Sequence, residues 1–295
     1  MKTRFTLLLA AVSMIACGET SDEIRPSSRP LTFEAEFEPL TSESRLTTDD
    51  TGRGSWEADD DLSIFIVKES TITPWINTRF VTNATDYKQN IFHSVAPHPI
   101  LEAGMNYDWY VMRPYNPDIH TPLGNGVISF ADFQQDYPNP TRHLSAADVM
   151  TSVNLSQPSS MRPKVSLHHR GTLLRFRITN QYSGIITLLS VELQAPPRIN
   201  LSGDFTLNFR SGEFIPMAAH TSNTARLEVV NALPLTPNES YSVYFITPPF
   251  DLRIGEDFRV KVSTNRGSKI FKCPVPRQIF FRAGMLNHQD LVFSN

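Results

Sequence analysis

The chain has 295 residues, 40% of them hydrophobic and only 19% charged, with a formal net charge of -3. That hydrophobic content supports a core in each of two ordinary domains and excludes a chain that is mostly disordered. The slight negative charge, with no local Lys/Arg cluster, excludes the broad basic surface that nucleic-acid binding requires. The low charged fraction suits an extracellular β protein, and nucleic acid is not an expected partner.

The first residues have the pattern of a lipoprotein signal peptide. A basic start over residues 1–4 precedes an apolar run over residues 5–16, which is too short to span a bilayer. The run ends in Met-Ile-Ala-Cys at residues 14–17, which resembles a bacterial lipobox with methionine in place of the commoner leucine. We predict a signal peptide over residues 1–16 and lipid attachment, palmitate included, at Cys17. The alternative is an ordinary secretory peptide in which Cys17 is incidental.

Residues 17–30 are predicted to be a flexible tether between the lipid and the folded chain. The acidic residues that follow Cys17 resemble the signal that directs lipoproteins of the Bacteroidetes to the outer face of the outer membrane. The other cysteine of the chain is Cys273. With Cys17 carrying lipid, no intramolecular disulfide is expected, and Cys273 is predicted to be a small hydrophobic residue on a strand.

The first predicted strand covers residues 31–38, LTFEAEFE, in which apolar and polar residues alternate strictly. This period of two predicts a strand with one face on a core and one in water. The residues of the apolar face are Leu31, Phe33, Ala35 and Phe37.

A long loop is predicted to follow this strand. Residues 40–55 have no hydrophobic period and are rich in Ser, Thr, Asp and Gly. Such a segment is a typical site of proteolytic cleavage, and it contains Arg45 and Arg53.

The rest of the N-terminal half is less regular. Four acidic residues within residues 57–61 lack the spacing of an EF-hand loop, so a solvated turn is favoured over a calcium site. Residues 118–142 are rich in Pro and Gly and are predicted to wrap the surface, and a helical turn is predicted over residues 145–150. Strands are predicted over residues 62–67, 78–82, 91–95 and 107–112.

A second sheet domain is predicted to begin with residues 165–180, VSLHHRGTLLRFRITN, after a boundary near residues 159–164. Phe176 alternates with Leu174 and Ile178 on the face predicted to be buried, while Arg177 points to water. Adjacent residues on a strand face opposite sides, so His168 and His169 are not predicted to share a metal ion. About eight short strands predict an antiparallel sandwich, over residues 185–193, 203–209, 225–230, 241–247, 258–264, 269–273, 278–281 and 290–293.

The chain contains no GxSxG, HExxH, CxxC or phosphate-binding glycine motif. No catalytic residue, metal ligand or cofactor site is therefore predicted, and a non-enzymatic role is favoured. A secreted hydrolase on a β-sandwich stays open as a lesser alternative, because sequence spacing does not reveal carboxylates that converge in space.

The order of these motifs resembles the fimbrillin family of the Bacteroidetes. The resemblance covers most of the chain after residue 17 and rests on the shared order of strand patterns. It implies an all-β fold of two tandem transthyretin-like antiparallel β-sandwich domains, here residues 31–160 and 161–295. The segments that carry it are Trp56 with residues 60–65, then residues 107–115, 147–150, 165–178, 202–209 with Gly212, and 281–284.

The resemblance also implies a function and a processing step. The protein would be a structural or adhesive pilus subunit, or a fimbrillin-like surface lipoprotein, held in the outer membrane by its lipid. A protease would cut at Arg45 or Arg53 and remove residues 31–38, and a strand of another fimbrial subunit would fill the groove. A host or bacterial surface ligand is a further possible partner.

Two alternatives stay open, one for the role of residues 31–38 and one for the function of the protein. Residues 31–38 would be a permanent edge strand if no processing occurs. The protein would be a glycan-binding surface lipoprotein that does not polymerise if aromatic side chains form an exposed platform, which Trp75, Trp109 and Tyr115 would have to supply.

Overall fold

The computed structural model describes residues 30–37, 60–68, 77–82, 89–121, 123–131, 133–136 and 143–294. The strands up to residue 169 are β1 (Thr32–Phe37), β2 (Asp61–Lys68), β3 (Asn77–Val81), β4 (Gln89–Ser94), β5 (Asn106–Arg113), β6 (Leu123–Phe130), β7 (Phe133–Asp136), β8 (Met150–Pro158) and β9 (Lys164–His169), with the helix α1 (Leu144–Ala147) before β8.

The remaining strands begin just after Gly171. They are β10 (Thr172–Asn180), β11 (Ile186–Gln194), β12 (Ser202–Asn208), β13 (Phe214–Ser222), β14 (Thr224–Leu235), β15 (Ser240–Thr247), β16 (Phe250–Leu252), β17 (Phe258–Thr264), β18 (Gly267–Cys273), β19 (Ile279–Phe281) and β20 (Leu286–Phe293). The predicted all-β fold is confirmed. No helix of the described part of the chain is long and apolar enough to cross a membrane.

The N-terminal strands form a closed seven-stranded barrel in the order β1-β4-β3-β2-β5-β8-β9. Burial alternates along β4, which turns every second side chain into the barrel. The barrel core is apolar and aromatic, with Leu62, Ile64, Phe80, Phe92 and Trp109 among its buried residues. β1 closes this barrel, because it pairs with β4 on one side and with β9 on the other.

The C-terminal strands form two main sheets, β18-β17-β11-β14-β7 and β15-β10-β20. Burial alternates strictly along β17, as the sequence predicts for a strand with one face on a core. Phe176 on β10 packs edge to face against Phe245 on β15, with ring centroids 6.1 Å apart. Not all pairing is antiparallel, since β1 with β9, β10 with β20 and β14 with β7 are parallel pairs.

The prediction that residues 118–142 wrap the surface is wrong for residues 123–130 and 133–136, which form strands within sheets. β6 pairs with β12, and β7 pairs with β14 at the edge of the five-stranded sheet. Phe130 of β6 packs against Phe205 of β12, with ring centroids 5.6 Å apart. Glycines and polar residues hide the apolar period of these strands, and their backbone groups are satisfied by partners far along the chain.

Residues 165–180 belong to two sheets and not to one strand. β9 completes the barrel, whereas β10 lies in the C-terminal half, and Gly171 stands between them. A Cβ atom at Gly171 would lie 2.7 Å from Cγ1 of Ile246, so this close passage of the backbone needs a glycine. Strands that precede residue 160 therefore pair with strands that follow it. The division of the chain into two domains at that residue stays a prediction.

Shorter elements depart from the prediction in detail. The helical turn lies at Leu144–Ala147, and Met150 already begins β8. Besides β6 and β7, the sequence analysis missed β8, β13 and β16. β13 is exposed along most of its length, so it lacks the apolar alternation that identifies a strand.

Candidate functional site

The candidate site is the slot that β1 occupies in the barrel. In register, Phe33 lies opposite Phe92 of β4, and Ala35 lies between Asn90 of β4 and Val165 of β9. β1 is therefore a strand with a hydrogen-bonded neighbour on each side. The alternative that it is an edge strand is wrong on this point.

The apolar face of β1 is part of the barrel core. Phe33 and Ala35 are fully buried. The ring of Phe33 stacks on Trp109 at a centroid distance of 5.7 Å and meets Phe80 edge to face at 6.2 Å. Leu31 and Phe37, at the two ends of the strand, are only half-buried. Loss of β1 would thus expose an aromatic cavity in the middle of the slot.

The polar face of β1 is held by β9 and β4. Ser166 Oγ donates a 2.7 Å hydrogen bond to Glu36, and Lys164 Nζ lies 3.2 Å from Glu36 and 3.6 Å from Glu34. Gln89 of β4 donates to Glu34. The hydrogen bond from Ser166, and after it the one from Lys164, lowers the pKa of Glu36 below its ordinary value of 4.5. The hydrogen bond to Glu36 in turn raises the pKa of Lys164 above 10.5.

Since folding lowers the pKa of Glu36, its ionised form stabilises the slot above about pH 4.5, and this contribution is lost as the pH falls through the lowered value. Glu36→Gln should lower the melting temperature near neutral pH. The difference from the parent protein should shrink to zero in acid. Melting curves of the two proteins between pH 7 and pH 3 measure this difference in melting temperature. As a control, the same substitution is made in a Ser166→Ala protein. A difference that is independent of pH, or unchanged by Ser166→Ala, would contradict this account of the polar face.

Side chains from elsewhere in the barrel fasten both ends of β1. At its start, the Leu31 amide donates to Ser94 Oγ at 2.9 Å, and Arg162 Nε donates to Thr32 Oγ1 at 3.1 Å. At its end, the Arg113 guanidinium lies 5.9 Å from the centroid of the Phe37 ring. Arg113 also donates a 2.8 Å hydrogen bond to Asp60, the first described residue after the predicted loop. The strand is thus fixed at the point where the chain leaves it.

Several predicted functional residues lie outside the described part of the chain. These are Cys17, Arg45, Arg53 and Trp75. Of the other proposed glycan-platform residues, Trp109 is only 1% exposed and serves the barrel core. Tyr115 is half-buried beneath Arg79, whose guanidinium carbon lies 5.6 Å from the ring centroid. The expectation that Trp109 lies on an exposed platform is wrong, because its side chain fills the barrel.

Asp60 and Asp61 of the acidic run, and His169 of the histidine pair, have protein partners. Asp61 accepts from Arg79 Nε at 3.0 Å. His169 Nδ1 lies 2.8 Å from Asp148. Burial by itself would raise the pKa of Asp148, but His169 and Arg113 hold it below its ordinary value of 3.8. Within the described ranges, no three His, Cys, Asp or Glu residues are grouped so that they could hold a metal ion.

The sequence analysis did not identify the residues that line the slot on the β9 and β4 sides. Lys164 and Ser166 alternate with the buried Val165 and Leu167, and this polar face could have suggested a partner for the glutamates of β1. The local pattern does not indicate that β1 is the strand whose glutamates these residues contact.

No family model matches the chain, and no curated protein matches it by sequence. Three solved structures are similar over nearly the whole chain, and each is described as a "putative cell adhesion protein". The one from Bacteroides ovatus has a TM-score of 0.61 at 14% identity and covers 90% of this chain and 92% of its own. The structure from Bacteroides uniformis has a TM-score of 0.56 at 14% identity and covers 92% of this chain and 94% of its own. The structure from Bacteroides fragilis has a TM-score of 0.53 at 10% identity and covers 90% of this chain and 94% of its own.

These identities are low, so the likeness is one of fold. The matches extend over both halves of the chain, from the barrel to the C-terminal sheets. The chain therefore has the fold of these Bacteroides proteins, which is consistent with the resemblance of its sequence to the fimbrillin family.

Proposed function

We propose that this protein is a non-enzymatic structural and adhesive subunit of the bacterial cell surface, of the fimbrial type, which assembles through the slot of β1. The observation that carries the proposal is the position of β1. It is the first strand of the described part of the chain, it is inserted between two strands, and its apolar face completes a core. The segment between Phe37 and Asp60 contains Arg45 and Arg53, where a protease could separate β1 from the barrel.

Removal of β1 would leave complementary surfaces for a new strand. The facing edges of β4 and β9 would carry unpaired backbone groups, which an extended segment can satisfy by β-augmentation. Specificity would come from the cavity of Phe33, because burying one such aromatic side chain is worth about 1.5–3 kcal/mol. The donor strand would need a large apolar residue at that point and a small one two residues later, as Phe33 and Ala35 now supply.

Cleavage tests the proposal directly. After treatment with an arginine-specific protease, the protein should take up a labelled peptide that copies residues 31–38, with an affinity of roughly micromolar or tighter. Uncut protein should not, because its slot is filled. Fluorescence anisotropy of the labelled peptide measures the binding.

Two controls separate slot binding from other causes. A protein in which Arg45 and Arg53 are both replaced by lysine should stay uncut in that segment and take up no peptide. A peptide with lysine in place of Phe33 and Phe37 should fail to bind the cut protein. If the cut protein accepts neither peptide, β1 is a permanent part of the barrel and assembly does not use this slot.

The surface location is proposed from the predicted lipid at Cys17. Each methylene of an acyl chain buried in the membrane adds roughly 0.8 kcal/mol, so several chains hold a protein durably. Cys17→Ser should release the protein from the membrane fraction and abolish labelling with a palmitate analogue, whereas Cys273→Ser should change neither. Membrane-bound, acyl-labelled Cys17→Ser protein would contradict the lipobox interpretation.

A further inference from the structure

A second groove lies in the C-terminal half, away from the slot of β1. It is a cleft of about 820 Å³ between β18 and β20. Residues 286–292 line one wall of the cleft, and residues 271–275 line the other. At about 3.3 Å per residue, the longer wall is about 20 Å long, which is the length of a strand of about six residues.

Residues 271–273 of β18 and residues 286–292 of β20 each belong to a strand at the end of a sheet. β18 ends the five-stranded sheet, and β20 ends the sheet β15-β10-β20. Over the described residues, no backbone hydrogen bond joins the two strands. The facing edges therefore offer two rows of backbone groups that an extended polypeptide can pair with, which a compact small molecule cannot.

One end of the cleft is closed by side chains. Lys269 Nζ donates a 3.0 Å hydrogen bond to the Ser294 carbonyl. The same ammonium lies 5.4 Å and 5.9 Å from the ring centroids of Phe271 and Phe293. The two edges are thus bridged there by a lysine, and between this bridge and Leu286 they remain apart.

The floor of the cleft is apolar. It reaches Leu174 and Phe176 of β10 and Phe258 of β17, which belong to the core between the two sheets. Cys273 lies on the β18 wall, half-buried, and burial raises the pKa of its thiol. Side chains that point inward from a bound strand would therefore have to be apolar.

The rim of the cleft is more cationic than anionic. Its lining includes Arg175 and Lys272 against a single carboxylate, Asp290. Lys272 lies opposite Arg259 in register, and Arg259 already pairs with Asp257. The hydrogen bond from Arg259, and less strongly the charge of Lys272, lowers the pKa of Asp257, so two cations share this one carboxylate. Side chains that point outward from a bound strand would best be acidic, because Arg259 and Lys272 together outnumber the one carboxylate beside them.

We propose that the cleft between β18 and β20 is a second strand-binding site, which takes an extended segment of another protein with alternating apolar and acidic side chains. This site needs no cleavage near Arg45 or Arg53, and it does not rest on the assembly step proposed for β1. It would let an intact subunit bind a partner while its own barrel stays closed.

The test uses the uncut full chain with Cys17→Ser, in which Cys273 is the remaining thiol. The probe is an octapeptide of alternating valine and glutamate. We expect saturable binding, and modification of Cys273 by a thiol reagent should slow severalfold at saturation. A peptide of the same sequence with N-methylated backbone amides should neither bind nor protect, because it cannot pair with the strand edges. Absence of protection, or equal protection by both peptides, would overturn the proposal.

Charge reversal supplies a matched pair of variants. Lys272→Glu on the rim should weaken binding of the valine-glutamate peptide roughly tenfold. Lys261→Glu, on the neighbouring strand β17 and outside the cleft, makes the same change in net charge and should have little effect. Equal affinities of the two variants would mean that the peptide binds elsewhere, which would also overturn the proposal.

Discussion

Replacing Phe33 by alanine is expected to destabilise the protein by about 3–5 kcal/mol. The side chain is fully buried and packs against Trp109 of β5 and Phe80 of β3. Its loss would leave a cavity that these large rings cannot fill by small shifts. Urea unfolding followed by the fluorescence of the buried tryptophan measures the effect.

Ile91→Ala is the matched control for Phe33→Ala. Ile91 lies on β4, opposite Glu34 in register, and its side chain is 40% exposed on the outer surface of the barrel. Its truncation should cost well under half as much. If the two variants unfolded at the same urea concentration, β1 would not be seated in the barrel as described, and the slot proposed for assembly would lose its basis.

The second large effect is expected at Phe176 on β10. Phe176→Ala should also cost about 3–5 kcal/mol, because the side chain is 4% exposed and packs against Phe245 of the neighbouring strand. The adjacent Arg177 is exposed on the other face of the same strand, so Arg177→Ala should cost little. Thermal unfolding of the two variants compares positions that differ by one residue in the chain.

The comparison at β10 tests the assignment of faces. Equal melting temperatures for Phe176→Ala and Arg177→Ala would be incompatible with the alternation of burial along β10. A large effect of Phe176→Ala on the barrel as well would show that the two cores unfold together, which the edge-to-face contact of Phe65 on β2 with Phe209 leads us to expect.

The alternation of apolar and polar residues was sufficient to predict a strand and its buried face where the strand has one buried and one exposed face. β1 and β10 were both predicted with the correct faces, because a period of two follows directly from strand geometry. The pattern was insufficient for β5, whose burial is nearly continuous, so the sequence left Trp109 available for an exposed platform. A strand that is packed on both faces has no alternation to read.

What the sequence by itself determined is therefore the β class, the segments that form most strands, and which side of β1 faces a core. Only the tertiary structure decided the partners. β1 pairs with β9, which begins at Lys164, and β6 pairs with β12 in the other half of the chain. The slot and the cleft are defined by these pairings, because a sheet edge exists only once the neighbours of a strand are known. Alternation specifies the face of a strand, whereas its neighbours are selected by backbone hydrogen bonds and packing between residues far apart in the sequence.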